Sequence, residues 1–253
     1  VFKNNTIIST GTTIGLYMRD ESDDGLYQGN TFTTNTQEAI RIASGNVDKT
    51  FSSRNTFLNN TFVSTNGQAT YIQGMGSDNQ FINNLFWSKN GGLIDGASSN
   101  VYDHNTFYVT AAGEKIHTFN YDHGPSDTWT NNIFSYSGAS TAYGFDGFTT
   151  DRYAGQYNIF QNRSGAVSFF NYGSLASWQS GTGDDAHSFE ANPLFVDPTN
   201  GDFSLQAGSP AKSAASDGSD IGYTPGSTVT IPTPTISAPT IAVVKPKIAA
   251  TIS

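Results

Sequence analysis

The chain has 253 residues, enough for one large β domain, with charged residues at only 13% and a net charge of −9. It has no cysteine, which excludes a disulfide framework and a Cys-ligated zinc or iron–sulfur site, and its 12 basic residues are scattered, which argues against a nucleic-acid partner. Asn, Gly, Ser and Thr supply 107 residues and aromatics 13%, too many rings for a disordered chain, and no run of 18 apolar residues marks a membrane span.

From the N-terminus onward a short motif recurs. It reads Asn4-Asn5-Thr6-Ile7, Gly29-Asn30-Thr31-Phe32, Asn59-Asn60-Thr61-Phe62, Asn83-Asn84-Leu85-Phe86, His104-Asn105-Thr106-Phe107, Asn131-Asn132-Ile133-Phe134 and Tyr157-Asn158-Ile159-Phe160. The second residue is Asn each time. A period of about 25 residues, built of short β runs and polar turns, predicts a solenoid of stacked coils. Two strands are predicted per coil. One follows the Asn; the other lies about ten residues later, as in Leu16-Tyr17-Met18, Ile40-Arg41-Ile42, Tyr71-Ile72 and Ile116-His117-Thr118-Phe119. No stretch carries a sustained helical period. The recurring Asn marks a sharp bend, since Asn tolerates the left-handed backbone region, and most residues before it accept positive φ too. Stacked Asn amides would hydrogen-bond from coil to coil.

Within the coils, Asp20-Glu21-Ser22-Asp23-Asp24-Gly25 places oxygen ligands at Asp20, Ser22 and Asp24 ahead of a Gly, like the first half of a calcium loop. Calcium is therefore the candidate cofactor, although position 31 is Thr where that loop has a bidentate Glu. Tyr17, Tyr71, Tyr143, Phe170 and Tyr172 are candidates for an aromatic ladder that binds sugar rings or, equally, forms a protein interface. Coil five is rich in polar chemistry, with Asp103, His104, Lys115 and His117. Asp95 and Asp146 sit at similar strand positions and would be about 10 Å apart over two coil spacings.

Residues 1–183 thus form the coils. Residues 184–222 are short apolar runs punctuated by Pro and Gly, suited to covering the last open coil. Residues 223–253 hold five of the nine prolines among Thr, Ile and Val, an extended linker or an assembly strand. The chain starts inside the repeat, so either upstream sequence precedes it or another copy covers its first coil, stacking head to tail into filaments.

These features resemble the right-handed parallel β-helix superfamily of pectate-lyase-like solenoids. The segments Asn192-Pro193-Leu194-Phe195-Val196-Asp197-Pro198, Gly201-Asp202-Phe203-Ser204-Leu205 and Asp220-Ile221-Gly222 are similar to the closing segment of secreted and surface-anchored β-helix proteins, polysaccharide lyases among them. The match departs at Ala211-Lys212-Ser213-Ala214-Ala215. The resemblance implies an all-β right-handed parallel β-helix of about seven coils with a C-terminal cap and an extended tail, located outside the cell or on its surface. It implies either a structural or adhesive protein, or a lyase acting by β-elimination on a uronate polysaccharide. In the second case Lys115 or His117 would be the base, with Tyr143 or Arg41 near the leaving oxygen.

Overall fold

The computed structural model describes residues 1–19, 22–43, 52–73, 77–90, 93–95, 99–112, 116–119, 127–138, 145–146, 153–169 and 172–226. Strand residues 43, 70–73, 93–95, 116–119 and 145–146 are described through their backbone alone.

The first coil holds β1 (Phe2–Lys3), β2 (Thr6–Ser9) and β3 (Leu16–Met18), and the second β4 (Leu26–Gln28), β5 (Thr31–Thr34) and β6 (Ile40–Ala43). The third holds β7 (Thr56–Leu58), β8 (Thr61–Gln68) and β9 (Thr70–Gln73), and the fourth β10 (Gln80–Ile82), β11 (Leu85–Asn90) and β12 (Leu93–Asp95). The fifth holds β13 (Val101–Asp103), β14 (Thr106–Val109) and β15 (Ile116–Phe119), and the sixth β16 (Asp127–Thr130), β17 (Ile133–Tyr136) and β18 (Phe145–Asp146). Then come β19 (Tyr153–Gln156), β20 (Ile159–Asn162), α1 (Leu175–Thr182), β21 (Phe189–Glu190), β22 (Phe195–Asp197) and β23 (Asp202–Leu205).

Like strands stack in parallel. Sheet I runs β1-β4-β7-β10-β13-β16-β19, sheet II runs β2-β5-β8-β11-β14-β17-β20-β21, and sheet III runs β18-β15-β12-β9-β6-β3. The molecule is the expected all-β stacked solenoid, with two corrections. Each complete coil has three strands, not two. Among the described residues six coils carry all three, β19 and β20 make an incomplete further coil, and β21 adds one strand beyond it, in place of about seven equal coils. The overlooked strands are those of sheet I. They are two to four residues long, and β7 and β10 bury two adjacent residues each, so these two lack the alternation that marks a half-buried strand.

In-register stacking builds the interior. Phe32, Phe62, Phe86, Phe107, Phe134 and Phe160 form one column, with successive ring centroids 4.7–5.3 Å apart. Tyr27, Phe57, Phe81, Tyr102 and Trp129 form a second, at 3.7–5.1 Å. Such pairs add about 0.5–1.5 kcal/mol each beyond their buried area.

Between sheets I and II the chain bends over two residues. The first is left-handed: Asn4, Gly29, Asn59, Asn83, His104, Asn131 and Tyr157 have φ between 52° and 66°. The second is the recurring Asn, which forms a ladder and is not itself left-handed. From Asn5 to Asn132 each Asn N–H donates to the Asn Oδ1 one coil on, as Asn30 does to Asn60 at 3.0 Å, Asn60 to Asn84 at 2.8 Å and Asn84 to Asn105 at 2.9 Å. Each Nδ2 donates to that same oxygen and back to a strand carbonyl, as Asn84 does to Phe57 O at 2.8 Å. A second ladder went unread in the sequence. Asn55, Asn79 and Asn100 link in the same way and end on Asp127, whose Oδ1 accepts from Asn100 N at 2.9 Å. These residues lie five positions before Asn60, Asn84, Asn105 and Asn132, and the preceding Arg54, Asp78 and Ser99 are again left-handed.

The two ends are built differently. At the first coil, a cavity of about 300 Å³ is walled by Phe2, Ile7, Leu16, Leu26, Tyr27 and Phe32, so the apolar interior reaches the surface there. At the other end α1 closes the interior. Ser174 caps its N-terminus, accepting from Ser177 N, and Gly183 ends it in the left-handed conformation. Leu175 and Trp178 are buried in the interior cluster. Of residues 184–222, expected to cover the last coil, those from 192 onward, together with residues 223–226, fold back as a strap along the exterior of sheet II. Phe195, Phe203, Ala211 and Ile221 pack there on Leu85, Tyr108, Ile133 and Ile159. Backbone hydrogen bonds follow the strap from Gly222 N on Asn131 O (2.8 Å) to Tyr223 N on Thr106 Oγ1 (2.9 Å) and Thr224 N on Asn83 Oδ1 (2.7 Å). The tail beyond residue 226 lies outside the described residues, as does its expected role as an assembly strand. Among the described residues no helix is long and apolar enough to cross a membrane.

Candidate functional site

Sheet III gathers candidate residues in one row. Strand register pairs Tyr17 with Arg41, Arg41 with Tyr71, Tyr71 with Leu93, Leu93 with His117, and His117 with Asp146. Ile40 and Ile42 on either side of Arg41 are buried in the interior, so Arg41 stands on the exterior. The Tyr17 ring, 45% exposed, has two guanidinium groups beside it, with Arg19 Cζ 5.6 Å and Arg41 Cζ 5.9 Å from its centroid. Both are within cation–π range. Glu38 Oε1 accepts from Arg41 Nη2 at 2.7 Å and orients it.

Tyr17, Arg41, Tyr71 and His117 therefore come together as a row, the last two placed by backbone register. Lys115, Tyr143, Phe170 and Asp20 lie outside the described residues. Tyr172 does not join the aromatic row: it packs edge-on against Trp178 at 5.2 Å, part of the closure by α1. Nor do Asp95 and Asp146 share a row. Asp146 stands opposite His117, whereas Asp95 stands opposite Phe119 and Gln73.

The acidic loop has other partners. Arg54 grips both oxygens of Asp24 at 2.8 and 2.9 Å and reaches Asp23 at 3.1 Å. Its hydrogen bond holds the Asp24 carboxyl below its usual range. Ser22 Oγ donates to Arg19 O at 2.9 Å. The expected metal ligands Ser22 and Asp24 are thus committed to protein contacts. No group of three His, Cys, Asp or Glu that could hold a metal occurs among the described residues.

In coil five, Asp103 and His104 meet the strap. His104 Nδ1 lies 3.0 Å from Asp103 Oδ1, and Nε2 lies 2.9 Å from Ser219 Oγ and 3.7 Å from Asp217 Oδ1. The order Asp–His–Ser resembles a nucleophilic triad, but the electrostatics differ. Burial disfavours the imidazolium, yet Asp103 and Asp217 outweigh it and raise the His104 pKa above 6.5. The Ser219 hydroxyl is 2.6 Å from Asp217 Oδ1, to which it donates. When protonated, His104 donates to both sides and fastens the strap.

At the far end of the ladder, sequence reasoning missed Asp185. It is fully buried and accepts from Trp178 Nε1 at 3.1 Å, Asn158 Nδ2 at 3.0 Å and Ser188 Oγ at 2.5 Å. Burial raises its pKa despite these donors. Its neighbour Asp184 is pushed up to about 6 by burial and by the charge of Asp185. The pair Asp184-Asp185 after Gly183 was the only sequence signal. No family model matches the chain, and no curated protein matches it.

Proposed function

We propose that this β-solenoid is an extracellular, structural and adhesive protein of the cell surface that lays a polysaccharide along the exterior of sheet III. The observation that carries the reading is the row Tyr17, Arg41, Tyr71, Leu93, His117, Asp146. Adjacent strands are about 4.8 Å apart, close to the advance of an extended glycan per sugar. An exposed tyrosine ring offers a sugar an apolar face, and its hydroxyl and the flanking guanidinium groups offer hydrogen bonds. A net charge of −9 favours a neutral or cationic polymer over an anionic one. Affinity electrophoresis through gels containing neutral and charged polysaccharides tests this. Tyr17→Ala and Arg41→Gln should each weaken retardation at least severalfold, and equal retardation of both variants and the parent counts against the row.

The structural part of the proposal is that copies of the chain associate with one another. Sedimentation velocity over a wide concentration range checks it: one monomeric species throughout overturns it.

The register of His117 opposite Asp146 supports a second reading, a polysaccharide lyase of the pectate-lyase-like superfamily. There a base takes the proton α to a uronate carboxyl, a carbon–carbon double bond forms, and the glycosidic oxygen leaves with a proton. Ultraviolet absorbance of the unsaturated product on alginate, pectate and glycosaminoglycans decides it, with His117→Ala as the control that should be silent.

A further inference from the structure

Between the exterior of sheet II and the strap lies a cavity of about 240 Å³, separate from the sheet III row and independent of the function proposed for it. Its apolar walls are Tyr108, Leu194, Phe195 and Pro198, and its polar lining is Gln161, Arg163, Asn192 and Gln206. Tyr108 and Phe195 meet edge to face at 6.1 Å, and the guanidinium of Arg163 stacks over the Tyr108 ring at 4.3 Å.

The hydrogen bonds leave this lining rich in donors. Arg163 Nη1 donates to Ser135 Oγ at 2.7 Å and Nη2 to Val109 O. Three of its five N–H groups have no acceptor among the described residues, and no carboxylate there forms an ion pair with it. The Ser135 hydroxyl donates to Gln161 Oε1 at 2.7 Å, which fixes that amide and leaves Nε2 to donate. Asn192 Oδ1 accepts from Leu194 N at 3.0 Å, which leaves its Nδ2 likewise. Gln206 gives one Nε2–H to Phe195 O at 2.9 Å, which leaves Oε1 as an acceptor and a second N–H. A half-buried cation without a counter-ion is costly unless an anion completes it. Here burial pulls the Arg163 pKa down from its usual value, the direction expected of a guanidinium short of negative neighbours.

We propose that this cavity binds a small organic carboxylate with a flat apolar body. The carboxylate would take the Arg163 fork and the Gln161 and Asn192 amides, the body would lie between Tyr108, Phe195 and Pro198, and a hydroxyl on it would meet Gln206 Oε1. A bidentate carboxylate–guanidinium pair has the geometry such a site requires.

The test is titration of 4-hydroxybenzoate into the isotopically labelled full chain, followed by NMR at the Arg163 Nε–H and the Gln161 and Asn192 side-chain amides. Saturable shifts of these signals are expected, with at least tenfold weaker binding of the neutral 4-hydroxybenzamide and of the acid to Arg163→Gln. Because Arg163 also ties neighbouring coils, Gln161→Glu provides a second variant. It keeps the acceptor for Ser135 and sets a fixed carboxylate in the cavity, so it should abolish binding in a folded protein. Absence of saturable shifts overturns the proposal, as does equal affinity for the amide, unchanged binding by Gln161→Glu, or displacement by sulfate at the same affinity.

Discussion

At the scale of the residue, the ladder asparagines are the least replaceable side chains. Asn84 accepts from Asn60 N and Nδ2 and donates to Phe57 O and Asn105 Oδ1, all in a buried bend. Asn84→Ala leaves a buried N–H and a buried carbonyl unpaired, and an orphaned buried group costs about 1–3 kcal/mol. The expected loss is at least about 2 kcal/mol, read as a lower urea midpoint. A surface Asn such as Asn35, changed to Ala, should leave the midpoint within error. Asp184 makes the opposite kind of case. Its folded pKa of about 6 lies above the ordinary 3.8, so folding favours its protonated form, and the native state loses stability as pH rises from about 3.8 to about 6. Asp184→Asn should therefore gain on the parent across that window and hold a constant advantage above it, in urea titrations at stepped pH.

At the scale of the element, the strap is held by shape and by charge. Gly222 has φ +87°, and a Cβ there would meet Ile133 Cδ1 at 2.5 Å and Thr106 Oγ1 at 2.8 Å. Gly222→Ala combines strain at positive φ with a clash against buried Ile133, and should expose the strap to limited proteolysis well before the coils. The charge contribution comes from His104. Its folded pKa is raised above 6.5, so its stabilisation is complete below pH 6.5 and fades as pH rises through the folded value. The melting temperature of the parent should fall towards that of His104→Gln over this interval and converge with it above. Asp103, held low mainly by His104, Asn131 and Thr130 against its burial, pulls the other way only in acid. How far these elements could be read in advance differs in kind. The Asn–Phe register was visible because a stacked column repeats the same residue. Helix α1 was not, because Leu175 and Trp178 are its only buried residues, too few to set a period. The strap did leave a trace. Positions beside the inward Phe are Thr31 and Thr61 in early coils but Leu85, Trp87, Tyr108, Ile133 and Ile159 later, apolar where an exposed strand would be polar. The meeting of His104 with Ser219, 115 positions apart, had no such trace.

At the scale of the whole molecule, two apolar clusters stabilise the fold: the aromatic columns inside the coils and the seam beneath the strap. The second joins strap residues to coil residues far away in sequence. Ending the chain at residue 191 should leave the interior columns intact but bare Leu85, Tyr108, Ile133 and Ile159. Such a contiguous apolar patch promotes association. Far-ultraviolet circular dichroism of unchanged shape, together with strong binding of a hydrophobic dye and concentration-dependent aggregation, is the expected result. A monomeric, dye-silent truncation would mean that the seam is dispensable. The two ladders carry a further consequence. Each interior rung sends its backbone N–H and one Nδ2–H towards the C-terminal coils, so each ladder is a one-way relay of these amide hydrogen bonds. Each relay closes on a carboxylate: Asp127 receives Asn100, and Asp185 receives Asn158 both directly and through Ser188. A carboxylate has no side-chain N–H to hand on, so Asp acts in this architecture as a full stop. Writing Asn at 127 or 185 would remove the terminator and leave an amide N–H seeking an acceptor, whereas Asp at an interior rung would cut one relay into two.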